Sequence, residues 1–201
     1  MFDGCTSLKS VNIPDSVTSL GNYVFRSCTS LKSVNIPDSV TSIGDGTFYE
    51  CNALESVALG SVTSIGDGTF YNCTKLGSVT IPDSVTSIGN YAFTGCISLA
   101  NVTVHDGIKS IGNDAFKDCS FLTSFAVSDS VTFLGDRAFS GCKSLESVTL
   151  GKGLTSIGYG TFYNCTKLGS VAIPDSVTSI GASAFYNCWN ITSLTIPISL
   201  N

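Results

Sequence analysis

The chain has 201 residues, with 43% hydrophobic residues, a net charge of −5 and a pI near 4.6. The apolar content is ample for a core, and ten scattered Lys and Arg residues argue against nucleic-acid binding, which needs clustered cations. No apolar run approaches the length of a membrane span, so membrane insertion is not predicted either.

A repeat of 23 residues, shortened once to 22, runs through the chain and is marked by nine cysteines. A phenylalanine precedes each cysteine by three residues, and an aliphatic residue follows it by three. A fixed period of this length predicts stacked coils that bury ladders of equivalent side chains. We therefore predict one solenoid domain over residues 1–201, with about nine units and no evident caps. The cysteines are Cys5, Cys28, Cys51, Cys73, Cys96, Cys119, Cys142, Cys165 and Cys188.

Each unit contains two extended segments joined by a turn. Residues 33–36 alternate apolar and small polar side chains, which is typical of a strand with one buried face. The Pro37-Asp38-Ser39 segment predicts a turn, and the β-branched residues 40–43 predict a second strand that ends at Gly44. The missing residue of the third coil falls in this turn, at residues 60–62, where a deletion is tolerated better than in a strand.

The last part of each unit predicts a short helical turn that points into the core. In the second coil Phe48, Cys51 and Leu54 are three residues apart, and Thr47 precedes Cys51 by four. These spacings place the four side chains on one face of a helix.

The cysteines are predicted to form a buried ladder of free thiols, since each occupies the same inward position of its coil. Pairing of some neighbouring cysteines is the alternative, although an odd number excludes complete pairing within the chain. The spacing contains no C-x-x-C pair, so no zinc site is predicted.

Leu31, Val34 and Ile36 form the L-x-x-L-x-L pattern of leucine-rich repeats, and with Phe48 and Cys51 the unit resembles the BspA-like class. The match covers essentially the whole chain. The repeat and this resemblance predict a right-handed leucine-rich-repeat solenoid of the α/β type. Its parallel β-sheet would line the concave face, with a second short strand and a short helical turn in each coil.

The resemblance also implies a function. BspA-like proteins are scaffolds without catalytic motifs, so we expect a non-enzymatic, adhesion-type protein at the cell surface or secreted. Its partner would be a host matrix protein or another cell-surface protein, and no cofactor is implied. One alternative is a structural protein that assembles by end-to-end stacking of its coils. Another is an intracellular repeat scaffold, which the absence of a signal peptide in this sequence permits.

Aromatic residues outside the core phenylalanine positions are the candidate binding residues. Four tyrosines follow the core phenylalanine directly, and a tryptophan follows the last cysteine. The face of the first strand carries small Ser, Thr, Asn and Ala residues and lacks the aromatic or Arg anchors of binding hot spots. The alternative interpretation is that the rings pack over the turn. The candidates are Tyr49, Tyr71, Tyr163, Tyr186 and Trp189.

No catalytic or metal-binding residue is predicted. His105 is the single histidine and occupies a turn or strand-end position. Aspartates recur after the proline position and could bind calcium if they stacked in register, but aspartate is also common in turns for local hydrogen bonding. These aspartates are Asp15, Asp38, Asp83, Asp106, Asp129 and Asp175.

Both ends of the array are predicted to expose ladder residues. Phe2 and Leu8 begin their ladders without a preceding coil, and Ile198 and Leu200 could cover the last coil as a lid. Open ends of this kind favour self-association, as a two-fold dimer or as head-to-tail stacking.

Overall fold

The computed structural model describes residues 2–198 and residue 200, which form a parallel-strand solenoid of about eight turns. Fifteen short strands lie in two stacks, one for each extended segment of the unit. The first stack contains β2 (Ser33–Asn35), β4 (Ser56–Ala58), β5 (Ser78–Thr80), β7 (Asn101–Thr103), β9 (Ser124–Ala126), β11 (Ser147–Thr149), β13 (Val171–Ala172) and β15 (Leu194–Thr195). The second contains β1 (Ser19–Leu20), β3 (Ser42–Ile43), β6 (Ser87–Ile88), β8 (Ser110–Ile111), β10 (Phe133–Leu134), β12 (Ser156–Ile157) and β14 (Ser179–Ile180).

Neighbouring coils pair in parallel with equivalent residues opposite each other. In the first stack Val34 of β2 lies opposite Val57 of β4. In the second stack β6, β8 and β10 form a three-stranded run, and Ile65 of the shortened coil joins it by a single bridge to Ile88. Because the register equals the repeat length, each buried position forms a ladder along the solenoid, which confirms the predicted repeat fold.

Phenylalanine forms the central ladder of the core. Phe93 and Phe116 are fully buried and stack with ring centroids 5.1 Å apart and planes inclined by 2°. Equivalent stacking continues from Phe2 to Phe185. Burial of each such ring contributes about 1.5–3 kcal/mol, so the ladder accounts for a large part of the solenoid's stability.

The segment before each cysteine forms hydrogen-bonded turns, and the helical turn predicted there is not formed. On either side of Phe48, Gly46 and Glu50 have φ values of 57° and 58°, in the left-handed region that interrupts a right-handed helix. The backbone N–H of Phe48 donates to the carbonyl oxygen of Thr69 in the next coil at 2.9 Å, and Gly46 and Glu50 donate in the same direction. This segment is therefore held between coils. No helix in the described residues is long and apolar enough to cross a membrane.

Asparagine and aspartate side chains that follow the second strand also link neighbouring coils. The Asn90 Oδ1 accepts the backbone N–H of Asn113 at 2.8 Å, and the Asn113 Oδ1 accepts that of Asp136 at 2.8 Å. A glycine precedes each of them because the coils approach closely: a Cβ on Gly112 would lie 2.6 Å from the Asn90 backbone nitrogen. We call the six acceptors the Asx ladder. They are Asn22, Asp45, Asp67, Asn90, Asn113 and Asp136.

The two ends expose apolar residues, as expected. Phe2 is 44% exposed, and Leu8 is only partly buried. At the other end the lid expected from Ile198 and Leu200 is formed by one residue only. Leu200 packs against the core, whereas the Ile198 side chain is fully exposed.

Candidate interaction surface

All seven tyrosines of the chain lie along one surface, which we call the turn edge. It is formed by the turns that carry left-handed residues between the second strand and the cysteine. Core burial fixes these turns because Phe25 and its equivalents point inward, so the residues two before and one after each phenylalanine remain at the surface. Those positions hold most of the tyrosines, and Trp189 follows the same segment with a 76% exposed side chain.

The five candidate residues do not form one site. Tyr49 and Tyr71 stack with centroids 4.6 Å apart, and Tyr163 and Tyr186 stack at 5.0 Å. Between the two pairs, the same repeat position is occupied by other residues in three coils, so the pairs are separate along the turn edge. The rings therefore pack against each other and also remain partly accessible.

The first pair belongs to a shallow groove of about 300 Å³, which we call the tyrosine cradle. Tyr23 lies edge-on to Tyr49 at 6.5 Å, and Tyr91 is 46% exposed. Burial raises the pKa of Tyr49, with a smaller contribution from neighbouring Tyr71, so its phenol remains a neutral donor at physiological pH. The cradle consists of Tyr23, Tyr49, Asp67, Gly68, Tyr71 and Tyr91.

The second pair borders a groove of about 360 Å³ that carries three cations, which we call the basic groove. The guanidinium of Arg137 lies over the ring of Tyr159 at 5.9 Å. The same side chain approaches the buried Asp114, with 3.2 Å between Arg137 Nε and Asp114 Oδ1. The lining residues are Lys117, Asp118, Arg137, Ser140, Gly141, Lys143, Tyr159, Tyr163 and Asn164.

Asp114 is a buried charged residue that the sequence did not single out. Its side chain is 1% exposed, and neither carboxylate oxygen makes a hydrogen bond among the described residues. Lys117 Nζ lies 3.6 Å from its Oδ1, in addition to the contact with Arg137. Asp114 also has a φ of 53°, at a repeat position that Gly46 and Gly68 occupy in other coils. These glycines are the sequence signal that the backbone is left-handed at this position.

Two of the residues considered for metal binding and catalysis make hydrogen bonds within the fold. His105 Nδ1 accepts the backbone N–H of Gly107 at 2.9 Å within its own turn. Asp129 Oδ1 accepts the backbone N–H of Lys152 in the next coil at 2.8 Å. Within residues 2–198 and 200, no three His, Cys, Asp or Glu side chains are grouped as a metal site.

The cysteine ladder is buried except at its ends. All nine cysteines are free; Cys5 is exposed, Cys188 is partly buried and the other seven are buried. Burial raises the pKa of the interior thiols, to about 12 at Cys51. These thiols are protonated at neutral pH and unsuited to act as nucleophiles, since the thiolate is the reactive form.

The shortened coil changes the surface at the proline turns. Two shallow grooves of about 530 and 440 Å³ flank Gly60, where the residue is missing, and both are lined by Ala58 and Gly60. Their other lining residues include no aromatic or arginine side chain, so the two grooves lack the anchors that are typical of binding hot spots.

Comparison with known protein families gives a match over the whole sequence. A family profile described as "BspA type Leucine rich repeat region (6 copies)" matches residues 1–123 and 109–201. No curated protein sequence matches the chain.

Solved structures with similar folds include three bacterial leucine-rich-repeat proteins. A leucine rich cell surface protein from Faecalibacterium prausnitzii A2-165 is 33% identical, with a TM-score of 0.71 over 94% of this chain and 61% of that one. A leucine-rich repeat protein from Bacteroides ovatus is 27% identical, with a TM-score of 0.68 over 100% and 70% of the two chains. The leucine-rich repeat protein of T. pallidum is 29% identical, with a TM-score of 0.66 over 88% and 72%. The chain thus spans about three fifths of the length of the first protein.

Proposed function

The chain belongs to the BspA-type leucine-rich-repeat family, and from this premise we propose that it is a non-enzymatic scaffold that binds a protein partner through its turn edge. Cell-surface display or secretion is part of the proposal, supported by the similar cell surface protein of Faecalibacterium prausnitzii. The family consists of repeat scaffolds and is generally non-catalytic, which agrees with the structural roles of His105 and the buried thiols.

The observation that carries the proposal is the concentration of accessible aromatic rings on one edge. Tyr186 on the turn edge is 53% exposed, and Trp189, which follows this segment in the chain, is 76% exposed. Tyrosine and tryptophan dominate binding hot spots because they bury large areas with few rotatable bonds. Since the first-strand face presents only small residues, the turn edge is the better contact surface.

An adhesive role follows from the repeated geometry. One solenoid presents two stacked tyrosine pairs. Neighbouring coils lie about 4.8 Å apart, which is the spacing of paired strands. Once a partner has bound one pair, its contact with the other pair is intramolecular, and the overall affinity is higher than that of either contact alone. We therefore include an extended matrix or cell-surface protein as the proposed partner.

The experiment measures binding of the purified chain to immobilised extracellular-matrix and cell-surface proteins. The test variant combines Tyr186→Ser and Trp189→Thr, which are residues found at the same repeat positions in other coils. The matched control is Phe133→Ser, because Phe133 is an exposed aromatic in the second stack where other coils have serine. Loss of two hot-spot rings should weaken binding by about tenfold or more.

Equal binding by the control and by the double variant would exclude this part of the turn edge as the contact. Absence of binding by the unmodified chain to every protein of the panel would contradict the adhesive role.

A second function, end-to-end assembly, is supported by the first ring of the phenylalanine ladder. Phe2 stacks on Phe25 at 5.6 Å and has no ring on its other side among the described residues, whereas interior rings such as Phe48 are stacked on both sides. This face fits a further coil, from an extension of this chain or from a second copy. Sedimentation over a range of concentrations tests it: association that Phe2→Ser abolishes supports assembly, and a monomer at all concentrations excludes it.

A further inference from the structure

We infer that the tyrosine cradle binds the cationic side chain of a lysine or arginine on the partner protein. The inference rests on the proposed function and specifies the partner as one with a basic segment at the contact. It concerns the cradle of Tyr23, Tyr49, Asp67, Gly68, Tyr71 and Tyr91, which is separate from the Tyr186 and Trp189 region tested above.

Gly68 creates the space in the cradle. The position two residues before the core phenylalanine is Tyr23 in one coil, Gly46 and Gly68 in the next two, and Tyr91 in the fourth. The Tyr23 ring covers Gly46, where an added Cβ would clash with Tyr23 Cε1. At Gly68 such a Cβ would lie 3.6 Å from Tyr49 Cδ2 and 3.9 Å from Tyr71 Cβ, which are ordinary contact distances, so the floor has room for an added atom beside the Tyr49 ring.

The size of the opening fits one long side chain. Tyr23 and Tyr91 are three coils apart, which corresponds to about 14 Å at the spacing of parallel strands. The Tyr23 ring lies over Gly46 and fills the part of this length that belongs to the next coil. The remaining space above Gly68 has a wall formed by the stacked Tyr49 and Tyr71.

An exposed ring of the cradle, Tyr91, favours a cation, because it is 46% exposed and is not stacked on another ring in the described residues. The π face of a tyrosine ring carries negative charge density and attracts an ammonium or guanidinium within about 6 Å of its centroid. The turn edge already contains two such contacts within the chain. Arg26 lies 5.4 Å from the centroid of Tyr23, and Arg137 lies 5.9 Å from that of Tyr159.

Fixed negative charge at the cradle distinguishes a cation from a neutral apolar ligand. Asp67 Oδ1 and Oδ2 accept the backbone N–H and the side-chain Nδ2 of Asn90, at 2.7 and 3.1 Å, so the carboxylate is held in position. In the described part of the chain, neither Asp67 nor the neighbouring Asp45 forms an ion pair. Arg26, the cation over Tyr23, is paired with Asp3 through two hydrogen bonds of 2.9 and 2.7 Å.

The basic groove has no such open space beside its tyrosine rings. This difference supports a cation as the ligand of the tyrosine cradle. There the guanidinium of Arg137 covers Tyr159 and is paired with Asp114. The aromatic face is thus occupied by a cation of the chain itself. In the tyrosine cradle the corresponding position is Gly68, so this repeat position supplies no cation of the chain, and we infer that a partner supplies it.

The test titrates the purified chain with the peptide acetyl-Gly-Gly-Lys-Gly-Gly-amide and follows the tyrosine ring signals by NMR. Peptides with glutamate or norleucine in place of lysine are the ligand controls. We expect only the lysine peptide to shift the Tyr49, Tyr71 and Tyr91 signals, with an affinity that falls as salt is added.

Two variants change the cradle while retaining the backbone. Gly68→Asn fills the floor with a residue that tolerates a positive φ, and Gly160→Asn is its control at the same repeat position outside the cradle. Asp67→Asn removes the charge but keeps the acceptor of the Asx ladder, and Asp136→Asn is its control. We expect about tenfold weaker binding for Gly68→Asn and about threefold for Asp67→Asn, with both controls unchanged.

Equal shifts with the norleucine or glutamate peptide, or unchanged binding by Gly68→Asn, would overturn the inference. Shifts with tetramethylammonium but none with the lysine peptide would overturn the assignment to a protein side chain. If the lysine peptide fails while the Tyr186→Ser and Trp189→Thr variant still loses its partner, the inference is wrong and the proposed function stands.

Discussion

The thiol of Cys96 donates a hydrogen bond of 3.1 Å to the carbonyl oxygen of Phe70 in the preceding coil. The same oxygen accepts the backbone N–H of Cys73 at 3.0 Å, so one carbonyl joins two coils. Equivalent thiol contacts are repeated from Cys28 to Cys188. The cysteine ladder is therefore a row of hydrogen-bond donors, in addition to being a row of small residues that fill space.

Cys96→Ser tests this donor role. If the cysteine were only an apolar filler, the serine hydroxyl would be buried without a partner and would cost about 1–3 kcal/mol more than alanine. Since the Phe70 carbonyl is available, we expect Cys96→Ser to be no less stable than Cys96→Ala, with both losing about 1–2 kcal/mol. Denaturant unfolding of the two variants decides between these outcomes.

Stability should fall steeply in alkaline solution. Burial, as the largest cause, raises the pKa of Cys51 from 9.0 to about 12, and it raises those of the other interior thiols in the same direction. Below pH 9 the thiols are protonated in both states, so the free energy of unfolding is at its full value. Above pH 9 the cysteine thiols of the unfolded chain ionise while those of the folded chain stay protonated. Each buried thiol then lowers the free energy of unfolding by about 1.4 kcal/mol per pH unit, until the pH reaches the pKa of that thiol in the folded state.

Thermal unfolding at fixed ionic strength between pH 7 and pH 11 measures this loss. Cys96→Ser is the matched variant, because it removes one ionising thiol and should flatten the slope above pH 9 by about 1.4 kcal/mol per pH unit. A slope identical to that of the unmodified chain would show that Cys96 does not contribute.

Gly112→Ala should destabilise the solenoid strongly. An added Cβ would lie 2.6 Å from both the backbone nitrogen of Asn90 and the carbonyl carbon of Gly89, and neither atom can move without separating two coils. We expect a loss of about 3 kcal/mol or more. Gly77→Ala is the control, since nothing lies within 4 Å of its added Cβ, and it should be neutral or stabilising by up to about 1 kcal/mol. Equal effects in denaturant unfolding would contradict the close approach of the coils.

Asp114→Gly should leave stability within about 1 kcal/mol of the unmodified chain, because ion pairs with partly exposed partners contribute little. Glycine suits the φ of 53° and removes a buried carboxylate that lacks hydrogen bonds. Asp114→Ala should be less stable than Asp114→Gly by about 1–2 kcal/mol, since alanine does not favour the left-handed region. Chemical unfolding of both variants measures the difference, and a loss above 3 kcal/mol in the glycine variant would show that the charge itself is required.

The sequence predicted the features that one coil determines by itself. Alternation in residues 33–36 and the repeated phenylalanine and cysteine positions correctly indicated the strands and the core ladders. The turn before the cysteine was misassigned because its hydrogen bonds go to another coil, and because Tyr23 and Arg137 adopt positive φ although neither residue favours it. The three-residue spacing of Phe48 and Cys51 is compatible with such turns as well as with a helix.

The sequence predicted that the candidate residues lie on one edge. It did not predict which of their rings would stack in pairs, and the structure was needed for that. Which rings stack depends on the residues at the same position in adjacent coils, as for Tyr49 and Tyr71. The cradle depends on the absence of a side chain at Gly68, which a search for chemically active residues overlooks. The Asx ladder had a sequence signal, a glycine followed by Asn or Asp after the second strand, but its partners lie 22 or 23 residues away.

The backbone hydrogen bonds that join the turns around successive core phenylalanines all point the same way along the solenoid. In each one the donor belongs to the earlier coil and the acceptor to the later coil, as for Phe25 and Thr47 or Phe139 and Thr161. The peptide groups of these turns are consequently aligned along the axis, with carbonyl oxygens facing its beginning and N–H groups facing its end. On this edge two like ends brought together would oppose acceptor to acceptor or donor to donor. Any further coil, whatever chain supplies it, must therefore attach with the polarity of the array, as a subunit adds to a polar filament.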